Sequence, residues 1–359
     1  MQMRTTRNVV SLSEDDHLGL WLPAYIDRVY EDSQDPKKIE RCLNRFYHFY
    51  IERYGHDKVT GIVKRDIQDW LNFLYKPEKN GGAGYAASYV NNHHSALNGF
   101  IKWLRAAAPH LMPKDPMKGI REIMLPAPEP RTLTPQQILS LKNICDRLER
   151  FHAKTDRRRT TKTIELKKYA RPIRDRAIVY VFLSTGLRRE ELVMLDIDQV
   201  IPNEPELLRQ ARSARIVKIR GKGKTEGTEY LSAEARNALA DYLQHERERD
   251  AAKGETTALF LSASGRPKRH ENGRLHPRTI NKILEQIGQW HDSETQDTSR
   301  HISPLRPHDL RHTFANELAK KPGVTEQDLE RLLRHRSKRY ISTYTNPPAE
   351  RTAGLIEDL

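Results

Sequence analysis

"STGLRREELVML", residues 184–195, places an apolar helix end, a glycine and a fresh helix start in one short segment. Upstream, "RDRAIVYVFLSTG" (residues 174–186) reads as a buried helix closed by Gly186, because glycine accepts the left-handed conformation that ends helices. Arg188 then opens a new helix. Glu191, three residues on, shares its face, and Leu192 and Leu195 form the buried stripe. Taken alone, an arginine–glutamate pair at this spacing is a surface ion pair of little weight.

Three further segments lie downstream. "RPHDLRHTFANELAKK" (residues 306–321) starts a helix at Pro307 and puts His308 and Arg311 on one face. A guanidinium binds phosphate through its planar fork, and an imidazole moves a proton near neutral pH. "ARIVKIRGKGKTEGTEYLS" (residues 214–232) alternates apolar and polar residues on either side of a Gly/Lys turn. It predicts a β-hairpin with Lys222 and Lys224 at its tip. "LLRHRSKRYISTYTN" (residues 332–346) carries His335 and two tyrosines, Tyr340 five residues after it and Tyr344 nine after it. Residue chemistry alone leaves both tyrosines open, as surface aromatics or as reacting groups.

The rest of the chain is organised around these segments. Residues 14–110 read as helices: "SEDDHLGLWLPAYIDRVY" with a Ser13 cap and acids in its first turn, then "DPKKIERCLNRFYHFYIERYG", "VKRDIQDWLNFLYKP" and "YAASYVNNHHSALNGFIKWLRAAAP". Their aromatic residues recur at helical spacing, which points to a packed core rather than a base-stacking platform. "PHLMPKDPMKGIREIMLPAPEPRTLTP" (residues 109–135) is proline-rich and aperiodic, an interdomain linker with extended character. "TPQQILSLKNICDRLERF" opens a second domain with a Thr134 cap and Pro135 at the first helical position. The basic stretch "RFHAKTDRRRTTKTIELKKYARPIRDR" is either an insertion that meets phosphate or a solvated face, and "TALFLSASGRP" reads as a short strand and turn. The expected fold is mainly α with a small antiparallel sheet.

Of the 359 residues, 37% are hydrophobic and 31% charged, with a net charge of +14. That balance describes a soluble chain with a polyanionic partner, nucleic acid first, since lysine and arginine that neutralise phosphates release condensed counterions. The basic residues are interleaved with acids instead of gathering on one amphipathic helix, which argues against a membrane surface. Cys42 and Cys145 stand far apart without metal-ligand spacing, as suits a reducing cytoplasm. The longest apolar run, "AIVYVFL", is far below the roughly 20 residues of a membrane span. The expected location is cytoplasmic and nucleoid-associated.

Read in order, TGLRxxEL, GKGK, HxLRH and a histidine followed nine residues later by tyrosine resemble the tyrosine recombinases, also called phage integrases. Each motif alone is unspecific; the ordered set is not. The resemblance implies a flexible N-terminus (1–12), a helical core-binding DNA-binding domain (13–110), a linker (111–131), a mixed α+β catalytic domain (132–346) and a tail (347–359) that docks on a neighbouring protomer, the whole forming a C-shaped clamp on DNA. It implies Tyr344 as nucleophile, Arg188 and Arg311 as clamps on the scissile phosphate and His308 as an aid to proton transfer. It implies His335 as a donor to a phosphate oxygen, Glu191 as the acid supporting this cluster, and Lys222 as general acid, with Lys224 as the alternative. Tyr340 does not fit the family spacing. The family usually has Leu-Gly-His where this chain has Leu333-Arg334-His335, and arginine takes a positive φ less readily than glycine. Residues 147–174 and 289–303 are longer than a minimal member needs, and the basic insertion leans toward a mobile element.

The implied activity is site-specific cleavage and rejoining of DNA through a 3′-phosphotyrosyl link, in integration, excision or resolution. The implied partners are double-stranded DNA with inverted half-sites and a homotetramer on DNA, with a monomer or dimer when free. The covalent link conserves the energy of the broken bond, so neither ATP nor metal is expected and no cofactor is assigned. Relaxation of the type IB topoisomerase kind and a non-catalytic DNA-binding protein are the competing readings.

Overall fold

The structure, a computed structural model, describes residues 14–32, 36–125, 130–153, 165–221, 226–251, 256–267 and 269–333. Ser13, Lys222, Lys224, Arg334, His335, Tyr340, Tyr344 and the 347–359 tail lie outside the described residues. The chain divides into two compact units, Met1–Pro128 and Glu129–Leu359.

The first unit is helical: α1 (Leu18–Asp32), α2 (Pro36–Tyr54), α3 (Lys64–Tyr75) and α4 (Ala87–Ala107). Its core is built on the aromatic stripe expected from sequence. Trp21, Phe46, Tyr50, Trp70 and Phe100 are each no more than 1% exposed, and edge-on pairs such as Phe46–Trp70, with centroids 6.2 Å apart, suit the ring quadrupoles. Helix α1 corrects one expectation: it begins at Leu18, not after Ser13. One of the acids that were to occupy its first turn serves a neighbouring loop instead. Asp16 accepts from the Thr60 backbone N–H (2.8 Å) and hydroxyl (2.6 Å), while the Asp57 carboxylate reaches back to the Gly19 N–H at 3.3 Å. Leu111, Met112 and Met117, assigned from sequence to the linker, are buried in this unit's core.

The second unit contains α5 (Pro135–Cys145), α6 (Leu148–His152), α7 (Pro172–Thr185), α8 (Arg189–Val193), α9 (Pro205–Gln210), α10 (Ala233–Tyr242), α11 (Glu248–Ala251), α12 (Pro277–Ser293), α13 (Pro307–Ala319) and α14 (Glu326–Leu333). Strands β1 (Val200–Ile201), β2 (Ala214–Arg220) and β3 (Glu226–Leu231) form an antiparallel sheet in the order β1-β2-β3. The Thr134 cap stands as read: its hydroxyl accepts from Gln137 N, and Gln137 Oε1 accepts from Thr134 N. Helix α7 is the central element. Residues 177–182 are all buried, as expected of a helix apolar all round.

The basic stretch before α7 is neither a plain solvated face nor wholly an insertion. At its end, Arg171 is buried against Asp250 with two 2.6 Å bonds, and Arg174 is buried against Asp175 at 2.7 Å. The strand expected at residues 257–261 does not form; only isolated bridges, Asp196↔Ala258 and Leu261↔Arg274, are present. Scattered backbone bonds and side chains share the work of a ladder there: Ile197 N donates to Thr257 O, Leu259 N to Leu195 O and Leu275 N to Phe260 O. The Tyr242 hydroxyl donates to Leu259 O and accepts from Leu261 N, Arg247 donates to Ala258 O, and Arg174 to Leu261 O. The buried backbone is thus satisfied without a neighbouring strand.

Candidate active site

Three segments of the second unit bring Arg188, His308 and Arg311 to one region through α7, α8 and α13. Gly186 follows α7 with φ of +56°, a conformation that costs other residues about 1–2 kcal/mol. A Cβ there would lie 2.4 Å from Cδ1 of Phe314 on α13, so this glycine permits both the turn and the helix contact. Arg188 occupies the cap position of α8. Glu191 accepts from its backbone N–H at 2.8 Å and from its guanidinium at 2.7 Å. The glutamate side chain is 5% exposed and that of Arg188 29%. The pair is therefore not the loose surface contact suggested by spacing alone: a buried carboxylate holds a guanidinium whose side chain is only partly exposed.

Arg311, 4% exposed, is the hub. Its guanidinium donates to the Gly186 carbonyl, two residues before Arg188, and to the Leu333 carbonyl at the end of α14. One side chain thus ties the turn presenting Arg188 to the residue that leads into the His335–Tyr344 segment. His308 sits exposed in the first turn of α13. Partial burial of its ring, with the Arg311 charge second, lowers its imidazole pKa below the ordinary value. At neutral pH it is therefore held neutral and able to accept a proton. His312, one turn on, is pushed down to about 4, chiefly by burial, and its ring centroid lies 6.3 Å from that of His308. A cleft of about 330 Å³ beside His308 is walled by Arg189, Glu190, Asn281 and Arg306.

The hairpin expected around Lys222 and Lys224 forms up to Arg220↔Glu226; the two lysines themselves lie outside the described residues. Its register shifts between Ile216 and Ile219, where Lys218 takes φ of +52°. Gln199 bridges this bulge by donating to Val217 O (2.9 Å) and Lys218 O (2.8 Å). Sequence reasoning missed this bulge and β1, which is too short to show alternation. It also passed over Asp309, whose carboxylate accepts from Arg306 N at 2.9 Å and caps α13. The signal was present: an acid three residues after the cap position, just past Pro307. Among the described residues, no group of three or more His, Cys, Asp or Glu could hold a metal ion.

Comparison of the sequence and of this mainly helical fold with its small antiparallel sheet leads to one family. The sequence model of the phage integrase family matches residues 133–351, and the chain belongs to that family. Tyrosine recombinase XerC of Ralstonia pickettii (strain 12J) is 29% identical over 359 residues, covering 97% of this chain and 96% of the relative. Tyrosine recombinase XerD of Mycobacterium tuberculosis (strain ATCC 25618 / H37Rv) is 26% identical over 337 residues, covering 91% and 93%. The fold is similar to XerH site-specific recombinase bound to palindromic difH substrate in a post-cleavage complex, with TM-score 0.65, 16% identity, and coverage of 97% of this chain and 91% of that one. It is also similar to the Tn1549 transposon integrase in complex with a circular intermediate DNA, with TM-score 0.62, 15% identity, and coverage of 94% and 98%. The tyrosine recombinase class read from the four motifs is thus the class of the chain.

Proposed function

We propose that the chain is a site-specific DNA recombinase that cleaves and rejoins duplex DNA through a 3′-phosphotyrosyl intermediate at Tyr344, in integration, excision or resolution. The observation that carries this reading is the double contact of Arg311 with Gly186 and Leu333. It ties the Arg188 turn to the end of the helix from which the chain runs on to His335 and Tyr344.

In this reading Arg188, Arg311 and His335 offset the negative charge that builds on the non-bridging oxygens of the scissile phosphate. Preorganised donors of this kind contribute roughly 10²–10³ in rate each. Glu191 keeps Arg188 in place. Tyr344 loses its proton as its oxygen attacks phosphorus, and the neutral imidazole of His308 takes part in that transfer. The bond from phosphorus to the 5′ oxygen breaks, Lys222 protonates the leaving oxygen, and a 3′-phosphotyrosyl bond replaces the bond lost. Attack by a 5′-hydroxyl of the partner strand reverses each step and rejoins the DNA. The partners in this reading are double-stranded DNA with inverted half-sites and further copies of the chain, four on DNA. The net charge of +14 and the DNA-bound state of the fold neighbours support the DNA partner.

The test is a nicked suicide duplex carrying the site, on which the covalent adduct accumulates. Tyr344→Phe is expected to bind the duplex and form no adduct, while Tyr340→Phe forms it. The reverse pattern would overturn the nucleophile assignment.

A further inference from the structure

The segment through which the chain enters the second unit is bonded to the residues that launch α13. Arg131 donates to three successive carbonyls: Ile302 at 2.7 Å, Ser303 at 3.3 Å and Pro304 at 2.8 Å. The same guanidinium lies 3.8 Å from the Asp309 carboxylate. Two residues on, Leu133 N donates to the Thr313 hydroxyl at 2.9 Å, and that hydroxyl donates to Asp309 O at 2.7 Å. Gln137 Nε2 adds a bond to Arg300 O at 3.2 Å. From the other side, Asp292 accepts from Ile302 N (2.8 Å) and Ser303 N (2.9 Å). Residues 302–304 are thus gripped through their carbonyls by Arg131 and through two of their amides by Asp292. They lead directly into Pro307, His308 and Arg311.

We propose that Arg131 is a positioning residue for the reaction, setting the placement of His308 and Arg311 by clamping residues 302–304 and Asp309. It touches no reacting atom. Its guanidinium is suited to the task because its rigid fork holds several acceptors at fixed angles, which a lysine ammonium on a flexible stem does not. Asp309 is 6% exposed and also caps α13 through Arg306 N, so the charge of Arg131 beside it favours the ionised form that the cap needs. Burial pulls that carboxyl the other way, above its ordinary range. Arg131 stands just inside the second unit, which begins at Glu129. Its bonds link the start of this unit's described chain to the residues that lead into the helix bearing His308 and Arg311.

The proposal rests on the recombinase reading for its rate consequence, and its test separates the two. Arg131→Ala, Arg131→Lys and Thr256→Val are compared with the full-length wild type on the suicide duplex. The Thr256 hydroxyl donates to Asn272 O at 2.6 Å in the same unit, outside the clamp, and controls for loss of an ordinary hydrogen bond. At saturating duplex, Arg131→Ala is expected to lose about 10²-fold in adduct formation, the scale of a misplacement of about 1 Å. Its duplex Kd is expected to stay the same, Arg131→Lys to recover part of the loss, and Thr256→Val to keep the wild-type rate. In parallel, hydrogen exchange of the amides of residues 309–313 is expected to speed up in Arg131→Ala and not in Thr256→Val. Unchanged exchange there overturns the proposal whether or not the wild type cleaves DNA. So does a rate loss that vanishes at saturating duplex, which would make Arg131 a phosphate contact. A wild type that forms no adduct sinks the recombinase reading and leaves the exchange result to decide the clamp.

Discussion

Glu191 shows how little a spacing reveals before packing is known. In sequence it is an acid three residues after an arginine, a pattern found on many solvated helices. In the structure its side chain is 5% exposed and both of its oxygens are engaged by Arg188. Removal of a buried acceptor for a charged donor costs about 1–3 kcal/mol. Glu191→Ala is therefore expected to lower the unfolding free energy by that amount in urea titration, and to lower adduct formation more than duplex affinity. An adduct rate equal to wild type would show that Arg188 acts away from the reacting phosphate. Gly186 was legible in sequence as a helix terminator. That its missing Cβ also makes room for Phe314 was not, because the two residues lie far apart in the chain.

At the scale of elements, "SAEARNALADYLQHERERD" reads as one helix, and the structure breaks it. Helix α10 gives way to a π turn, Leu243–Arg247, before α11. Such a turn shifts the facing of every later side chain, and here Tyr242, Glu246, Arg247 and Asp250 are all buried. Glu246 accepts from the N–H groups of Ile173 (3.3 Å) and Arg174 (2.8 Å) at the start of α7. Burial still pushes its carboxyl up to about 7, against 4.5 when unperturbed. The folded chain therefore keeps a proton between these values that the unfolded chain releases. Stability falls as pH rises from about 4.5 to about 7 and stays lower above that. The difference in urea midpoint between pH 5 and pH 8 is expected to be larger in the wild type than in Glu246→Gln, where the titrating group is gone. Equal differences would place this carboxyl in its ordinary range.

At the scale of the whole molecule, charge directs the chain to its partner and two cores hold it. Each unit has its own buried apolar cluster. The net charge of +14 predicts a steep salt response: if about 6–10 phosphates are neutralised, affinity for duplex DNA falls about 10³–10⁵-fold between 50 and 200 mM salt. Binding isotherms across that range check this, and a flat response would remove DNA as the polyanion. The sequence by itself determined the class of protein, the largely helical order of elements and the hairpin, and it nominated the candidate residues, because periodicity, caps and ordered motifs are read along the chain. Only the tertiary structure decided that Glu191 is buried, that Arg311 spans Gly186 and Leu333, that residues 257–261 are held by side chains and scattered backbone bonds instead of a strand, and that Arg131 grips the approach to α13. Each of those depends on groups distant in sequence meeting in space, and a one-dimensional pattern does not record which buried carbonyl a guanidinium will find.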